Sequence, residues 1–256
     1  MTIAIVGGDA RFAHLAELLR ARGYDVLADP PAERLAEADG IVTQNPVKNA
    51  DLDMATILAH MRPDARLILH GSNYCGIPMS AHCTDLMQDV DFVLKNAQLT
   101  AEGAVSAAMN ASKGALCRSR CLIVGYGRIA QYLTRMLVGL GARVTVAARR
   151  PEMRQAATRA GAQTCDCAEE ALANALSQAD FAFSTPPVQL LTEPVLRRAA
   201  PDAQIIDLAS PPYGVDLEAA RALGVRAWRE SGLPGRYCPL AAAQVIAEFV
   251  EKLMER

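Results

Sequence analysis

The sequence lacks several features that mark whole classes of protein. Lys plus Arg number 26 and Asp plus Glu 28, for a net charge of −2, so no basic surplus points to nucleic acid or to an acidic membrane. No apolar run approaches the roughly 18–20 residues that a membrane-spanning helix needs. The opening residues, MTIAIVGGDAR, carry no basic segment before the apolar run, unlike a signal peptide. We therefore expect a soluble, cytoplasmic protein.

Motifs of hydrolases and metal sites are also missing from the sequence. The seven cysteines are an odd number and form no CxxC pair with a histidine partner, so we expect no metal site. GxSxG and HExxH do not occur. The cysteines are best interpreted as free thiols in small buried positions, with redox or metal chemistry as the alternative.

The chain is instead rich in apolar residues, at 51%, and these recur in a regular pattern. Short apolar runs such as IAIV, LIV and IID alternate with Ala- and Leu-rich helical segments, which predicts parallel, doubly wound α/β sheets. The pattern repeats twice. We predict one domain from residues 1–99 with 239–256, a bridging helix over 100–120, a second domain over 121–238, and a hinged cleft. A short strand is expected over 92–94 and a long helix over 100–116.

The strongest local motif is a glycine-rich turn between a strand and a helix. Gly125, Tyr126, Gly127, Arg128, Ile129 and Ala130 form GxGxxA after the apolar run CLIV. The glycines allow a tight turn and close approach of the backbone to a pyrophosphate, and Ala130 lets the helix pack on the strand. This context predicts dinucleotide binding, with a purely structural turn as the alternative.

The choice of dinucleotide depends on the end of the next strand. NAD-binding sites usually carry Asp or Glu there, to bind the ribose diol. Here the residues are Ala148, Arg149 and Arg150, and the two guanidinium groups suit a 2′-phosphate. We predict NADP, with NAD less favoured; the alternative is that the two arginines only begin a solvated helix.

Other candidate residues follow strands whose ends meet at one edge of the sheet. Ligands in doubly wound sheets bind beyond these carboxyl ends. For the cofactor we add Ser184, Thr185, Pro186, Asp207, Ala209, Gly232, Leu233 and Pro234. In the first domain, Asp9 suits a helix N-cap, whereas Arg11 in the first turn opposes the helix dipole and points to an anionic ligand. His70 ends a strand and could reach the cleft.

Five segments together resemble one family, the A-type subunits of dipicolinate synthase. They are IAIVGGDAR from Ile3, TAEGA from Thr100, GYGR from Gly125, IDLAS from Ile206 and GLPG from Gly232, in the order of that family. The resemblance implies two Rossmann-like domains joined by long bridging helices. It also implies an oxidoreductase of spore-forming bacteria that converts 4-hydroxy-tetrahydrodipicolinate, or its dihydro product, to dipicolinate with NADP. The flavoprotein-like B-type subunit of dipicolinate synthase is the implied partner, and we expect a homo-oligomer.

Under this resemblance the substrate residues can be assigned. We expect Asp9, Arg11, Ser72, Asn73 and Ser210 to bind the carboxylates, and Glu102 to accept the proton with help from Asn96 and Thr100.

The sequence departs from the family pattern at Pro211, where Arg is expected, and at Leu240-Ala241, where Lys-Thr is expected. These departures favour one alternative, a non-catalytic NADP-binding scaffold. A 2-hydroxy-acid dehydrogenase is the other alternative, because it shares the two-domain plan with bridging helices.

Overall fold

The computed structural model describes residues 1–44, 46–71, 82–111 and 115–255. The strands are β1 Thr2–Val6, β2 Asp25–Ala28, β3 Gly40–Gln44, β4 Arg66–His70, β5 Cys83–Asp85, β6 Arg120–Val124, β7 Arg143–Ala147, β8 Gln163–Cys165, β9 Phe181–Ser184, β10 Gln204–Asp207 and β11 Arg226–Arg229. The helices are α1 Ala10–Ala21, α2 Met54–His60, α3 Val90–Ala111, α4 Arg128–Gly139, α5 Pro151–Arg159, α6 Glu169–Leu176, α7 Glu193–Leu196, α8 Leu217–Ala222, α9 Leu233–Tyr237 and α10 Pro239–Met254. Within these described ranges, no helix combines the length and the apolar character that crossing a membrane requires.

Two compact units share these elements. The first unit comprises Met1–Asn96 with Pro234–Arg256, and the second comprises Ala97–Leu233. The chain enters the second unit within α3 and leaves it within α9.

The first unit is built on a parallel sheet in the order β2-β1-β3-β4-β5. This is a doubly wound order: β2 is added on one side of β1, and β3, β4 and β5 are added on the other side. The strand order therefore reverses between β1 and β3. The apolar faces of α1 and α10 cover one side of the sheet, where Leu15, Leu19, Ile246 and Val250 are buried. The C-terminal helix therefore completes the core of the first unit, because its apolar stripe packs beside that of α1.

The second unit has a parallel sheet in the order β11-β10-β9-β6-β7-β8. This is the Rossmann order, in which two βαβαβ halves meet between β6 and β9. Leu122, Val124, Ala182 and Ile205 form the centre of its core. The predicted fold class, α/β with two doubly wound parallel sheets, is confirmed.

Two predictions for the segment around α3 were wrong: the strand at residues 92–94 and the start of the long helix at residue 100. No strand forms at residues 92–94, because α3 already begins at Val90. The Asp89 carboxylate accepts the N–H groups of Asp91 (2.9 Å) and Phe92 (3.1 Å), which caps the helix there. The apolar run Phe92-Val93-Leu94 is too short to distinguish a strand from one helical turn by periodicity.

Four smaller elements also differ from the sequence prediction. The three-residue strands β5 and β8 were missed, since they are too short for a periodic pattern. The sequence pattern from Pro194 to Ala200 predicts a helix of seven residues, but α7 is only one turn, Glu193–Leu196. The Gly232–Gly235 segment, expected as a turn, continues into helix α9.

Candidate functional site

The glycine-rich turn of the second unit joins β6 to α4. Gly125 has a φ of +89°, and a Cβ there would lie 2.6 Å from Thr185 Oγ1 and 3.1 Å from Pro186 Cδ, so only glycine fits. Gly127 is the N-cap of α4 and offers no side chain to its N–H groups. A Cβ on Gly127 would meet no described atom within 4 Å. The first turn of α4 therefore presents open N–H groups and the positive end of the helix dipole, which suits a phosphate.

The residues between these glycines and after them face different surroundings. Tyr126 is buried, and burial raises the pKa of its hydroxyl. Arg128 is exposed and Ile129 half-buried in the first turn of α4. The backbone rather than the Tyr126 side chain is thus what this turn offers a ligand.

A cavity of about 290 Å³ lies beside this turn, on the β7 side. Its lining residues are Gly125, Tyr126, Gly127, Ala148, Arg149, Arg150, Met153, Cys167, Pro186, Val188 and Leu190. Most of this lining is apolar, and the guanidinium groups of Arg149 and Arg150 add positive charge. A mostly apolar pocket next to a turn that suits a phosphate is suited to an adenosine group.

The two arginines of this cavity differ in their partners. Arg150 is paired with Glu152 at 3.5 Å, whereas Arg149 is exposed and makes no ion pair with a described residue. Arg154, which the sequence analysis missed, donates to the backbone carbonyls of Ala148 (2.7 Å) and Arg149 (3.0 Å). Arg154 thus orders the strand end and leaves the Arg149 side chain available to a ligand.

The cysteines near this cavity are protonated at neutral pH. Burial raises the pKa of Cys165 to about 11 and also raises that of Cys167. Cys83 and Cys121 are buried as expected of small apolar positions, but Cys117 is exposed. Among the described residues no group of His, Cys, Asp and Glu side chains could hold a metal ion.

The residues after β9 shape the glycine turn. Thr185 Oγ1 donates to the Val124 carbonyl at 2.9 Å, and the Thr185 N–H does so at 3.1 Å. Ser184 Oγ is closed to solvent and packs against Gly214, where a Cβ would overlap it. The Ser184 side chain therefore cannot reach a cofactor, which corrects its expected role. Pro186 does line the cavity.

Asp207 holds a loop instead of facing a ligand. Its carboxylate is fully buried and accepts the backbone N–H groups of Ala209 and Gly214 at 3.2 Å and of Val215 at 3.3 Å. The loop 209–215 thus occupies the Asp207 carboxylate, which corrects the expectation that this side chain binds the cofactor, whereas the role of Ala209 stays a prediction. Ser210, in that loop, is exposed.

The sequence analysis also missed a group of polar residues at the end of β11. The Arg229 guanidinium lies over the Tyr213 ring, with its Cζ 3.3 Å from the ring centre. Arg229 Nε and Nη2 are each 3.4 Å from Asp207 Oδ2. The buried Glu230 carboxylate accepts the Trp228 indole N–H at 3.1 Å. Their only signal in the sequence was their position at a strand end.

The GLPG segment packs against two other motif segments. Leu233, buried in the second unit, contacts Gly103 of α3, where a Cβ would lie 2.9 Å from Leu233 Cβ. In the first unit, a Cβ on Gly235 would lie 2.6 Å from Asp9 Oδ2 and 2.9 Å from Arg11 Nε. Leu233 and Pro234 are buried and Gly232 is exposed, so packing is the role visible for the first two.

In the first unit, the buried Arg11 and His70 and the half-buried Asp9 form a network that we call the Arg11 cluster. Arg11, 6% exposed, donates from Nε (2.8 Å) and Nη2 (2.7 Å) to the two carboxylate oxygens of Asp9. Its Nη1 lies 3.2 Å from His70 Nε2. Burial first, and then the Arg11 charge, lowers the pKa of His70 to about 4. His70 is therefore neutral at pH 7, and its Nε2 accepts from Arg11.

Electrostatics and aromatic packing both support this cluster. The hydrogen bonds and charge of Arg11 hold the pKa of Asp9 below its usual value, against the opposing effect of burial. The His70 ring meets Phe12 and Phe92 edge to face, at centroid distances of 6.4 Å and 5.5 Å. The cluster thus presents a pre-oriented guanidinium group.

The glycine turn of the first unit, after β1, is occupied by the chain itself. Gly8 N–H donates to the Lys48 carbonyl at 3.3 Å, and a Cβ on Gly7 would lie 2.5 Å from that oxygen. Asp29 accepts the Gly7 N–H at 2.6 Å and the Asn49 amide at 2.8 Å. A cavity of about 510 Å³ lies beside this turn, but the backbone groups of the turn already have partners.

The predicted catalytic residues do not lie together. A helix over 100–116 would place Thr100 and Glu102 in its first turn, but α3 begins at Val90 and both residues lie in its middle. At 100° per residue, Asn96 and Thr100 share one face of α3, and the exposed Glu102 lies on another. Ser72 and Asn73 lie outside the described residues.

Comparison with protein families places the chain among dehydrogenases. A model of the D-isomer specific 2-hydroxyacid dehydrogenase NAD-binding domain matches residues 81–209, half of the chain. The A-type subunit of dipicolinate synthase from Bacillus subtilis is 30% identical over 169 residues. The match covers 66% of this chain and 56% of that relative, so it spans little more than half of the relative's length. The resemblance predicted from the sequence is confirmed.

Solved structures agree in fold. The A-type subunit of dipicolinate synthase from Bacillus halodurans superposes with a TM-score of 0.81 at 22% identity, covering 100% of this chain and 98% of that one. Salmonella D-lactate dehydrogenase superposes with a TM-score of 0.71 at 13% identity, covering 99% and 96%. At these identities the superpositions establish the two-domain fold and not the reaction.

Proposed function

The chain belongs to the family of D-isomer specific 2-hydroxyacid dehydrogenase NAD-binding domains, and on this premise we propose that it is a nicotinamide-dependent oxidoreductase. The observation that carries the proposal is that α4 has Gly127 as its N-cap, so no side chain caps its first N–H groups and the space beside Gly127 is unfilled. That arrangement suits the pyrophosphate of a dinucleotide. The second unit is then the part of the chain that holds the cofactor.

The residues of the second unit fit such a cofactor. The backbone of Gly125, Tyr126 and Gly127 would hold the pyrophosphate, and the 290 Å³ cavity would hold the adenosine group. When bound, the cofactor is the two-electron oxidant. The chain's own residues orient the substrate and accept the proton.

NADP is the cofactor that we propose, on the basis of Arg149. No carboxylate occupies positions 148–150, where one would select NAD and repel a 2′-phosphate. Arg149 has no ion-pair partner among the described residues, and Arg154 orders the backbone beneath it. A phosphate would provide Arg149 with a partner for charge-assisted hydrogen bonds.

Arg149→Ala tests this selectivity. We expect NADP binding to weaken about 10- to 100-fold, the value of a charged hydrogen bond or two, and NAD binding to change little. Arg150→Ala is the matched control and should have a smaller effect, since Glu152 already pairs with Arg150. Equal weakening of NAD and NADP by Arg149→Ala, measured by calorimetry, would contradict the assignment.

For the substrate we propose a cyclic dicarboxylate, as the resemblance to dipicolinate synthase suggests. Loss of water from 4-hydroxy-tetrahydrodipicolinate gives the dihydro compound. Its oxidation to the aromatic pyridine transfers two electrons with one hydrogen to the cofactor and releases one proton. Arg11 supports the binding of a carboxylate. Asp9 and His70 use three of its five N–H groups and leave two for a ligand.

The proposed proton acceptor is Glu102. It is an exposed carboxylate on α3, and it would act without Asn96 and Thr100, which lie on another face of the helix. Glu102→Gln should lower turnover about 10²- to 10⁴-fold at saturating cofactor if Glu102 is the base. Unchanged turnover would exclude it.

The deciding experiment is a coupled assay with freshly generated 4-hydroxy-tetrahydrodipicolinate and NADP. We expect the absorbance of reduced cofactor and that of dipicolinate to rise together. Adding a candidate B-type subunit tests the further proposal that this chain works in complex with such a flavoprotein-like partner. Absence of reduction by a protein that binds NADP would contradict the dicarboxylate substrate and favour a non-catalytic scaffold.

A 2-hydroxy acid is the second candidate substrate, favoured by the family match over residues 81–209. Against it, no histidine occurs in residues 232–238, where such an enzyme would carry its acid–base group. Reduction of the cofactor by D-lactate or a longer 2-hydroxy acid, but not by the dicarboxylate, would establish this alternative.

A further inference from the structure

A positive group at the end of β11 has no place in the cofactor site described above. Arg229 is the last residue of β11, paired in register with Asp207 of β10. Both side chains are therefore at the carboxyl edge of the second sheet, where ligands bind. Arg229 is 30% exposed, whereas Asp207 is fully buried.

The position of β11 in the sheet separates Arg229 from the phosphate-binding turn. Three strand spacings of about 4.8 Å place β11 about 14 Å from β6, on the side away from β7 and Arg149. In the Rossmann order, the β9-β10-β11 half receives the nicotinamide part of the dinucleotide. Arg229 thus belongs to the end of the site where the substrate reacts.

The guanidinium group of Arg229 is held in place, but some of its N–H groups have no partner among the described residues. The Tyr213 ring supports one face, at 3.3 Å from Cζ to the ring centre. The bonds from Nε and Nη2 to Asp207 are long, at 3.4 Å, and three backbone N–H groups already satisfy that carboxylate. Nη1 has no partner among the described residues. A planar fork with free N–H groups on its solvent side is the group that binds a carboxylate bidentately.

The support for this arrangement is itself strained. Tyr213 has a φ of +71°, a left-handed conformation that is unusual for a bulky residue. The Asp207 carboxylate enforces it by binding the N–H groups on both sides of the loop. Such strain persists where the surrounding structure imposes it, as at ligand sites.

We infer that Arg229 binds a carboxylate group of the substrate beside the nicotinamide end of the cofactor site, with Tyr213 and Asp207 as its positioning residues. The inference rests on the proposed function for the identity of the substrate and needs only an anionic substrate for its own test. Arg229 also places a cation at the carboxyl edge of the second sheet, where the sequence has Pro211 in place of the expected arginine.

The test measures binding of dipicolinate to the NADP-loaded protein by titration calorimetry. Arg229→Gln should weaken dipicolinate binding about 10- to 100-fold and leave the Kd of NADP within about twofold. Arg226→Gln is the matched control, because Arg226 is exposed at the opposite end of the same strand, and it should change neither affinity. Weakened NADP binding by Arg229→Gln, or unchanged dipicolinate binding, would overturn the inference.

A second pair of variants separates positioning from folding. Tyr213→Leu removes the aromatic face and should weaken dipicolinate binding about 3- to 10-fold, whereas Tyr213→Phe keeps the face and should bind like the wild type. Equal losses in both variants would contradict the positioning role.

The outcome for the wild type distinguishes this inference from the proposed function. If the protein binds pyruvate but not dipicolinate, the dicarboxylate substrate is wrong. Loss of pyruvate binding in Arg229→Gln would then still support Arg229. If the NADP-loaded protein binds neither acid, both proposals fail.

Discussion

The two glycine turns that open the two sheets differ at the N-cap of the following helix. In the first unit Asp9 caps α1, its carboxylate accepting the Arg11 N–H at 3.1 Å. In the second unit Gly127 caps α4 and brings no side chain. The N-terminus of α1 is therefore occupied by the Asp9 carboxylate, whereas the N-terminus of α4 is open to an anionic ligand.

This difference assigns separate roles to two motifs that look alike in sequence. A carboxylate at the helix N-terminus already uses the positive end of the dipole, so a phosphate would be repelled there. In the first unit the group left for an anion is the Arg11 guanidinium, oriented by Asp9 and His70. In the second unit the proposed anion-binding group is the backbone of the glycine turn.

Gly127→Asp gives α4 the same N-cap residue as α1, an aspartate. Its effect on NADP affinity should be the largest of all the predicted effects. Gly127 has a φ of −78° and space for a Cβ, so the variant should fold and gain a cap. Repulsion of about 4 kcal/mol between charges about 4 Å apart corresponds to a roughly 1000-fold loss of NADP affinity. Calorimetry measures the loss, and Gly127→Ala, without the charge, should lose about tenfold. Similar losses in both variants would show that charge is not the cause.

Acid should destabilise the first unit through His70. The pKa of His70 is lowered from 6.5 to about 4, so between these values the unfolded chain takes up a proton that the folded chain does not. Above pH 6.5 the free energy of unfolding is unaffected by the protonation of His70. As the pH falls from 6.5 toward 4, that free energy decreases by about 3 kcal/mol. Urea unfolding at about pH 7 and about pH 4.5 measures it.

His70→Gln is the control for this pH dependence. Glutamine keeps an acceptor for Arg11 but does not titrate. The difference in unfolding free energy between the neutral and the acidic condition should therefore shrink by most of this amount. Parallel pH profiles for the wild type and His70→Gln would contradict the assigned pKa.

Gly235→Ala should disturb the Arg11 cluster by crowding. A Cβ at Gly235 would lie 2.6 Å from Asp9 Oδ2, and overpacking of this kind costs about 1–3 kcal/mol. Gly139→Ala, where a Cβ meets no described atom within 4 Å, should be neutral or stabilising by less than about 1 kcal/mol. Urea midpoints compare the two, and equal destabilisation would argue against a packing effect at Gly235.

The sequence predicted the second unit's site better than the first unit's. The glycine turn of Gly125 and Gly127 lies at a known point of a strand–turn–helix unit, so spacing alone predicted its geometry. Arg11 was found because a cation in a first helical turn is unusual. Its partner His70 is 59 residues away, and Asp207, Tyr213 and Arg229 meet only across neighbouring strands. Contacts of this kind depend on sheet order, which local patterns do not encode.

The smallest expected effect concerns the loop that closes the first unit's turn. The Asn49 side chain donates to Asp29 and accepts the N–H groups of Asp51 and Leu52, whereas Lys48 contributes its backbone carbonyl. Asn49→Ala should therefore lower the free energy of unfolding by about 1 kcal/mol, and Lys48→Ala should leave it unchanged within about 0.5 kcal/mol. Thermal unfolding of both variants measures the difference. If Lys48→Ala is the more damaging, the side chain of Lys48, and not its backbone, closes this turn.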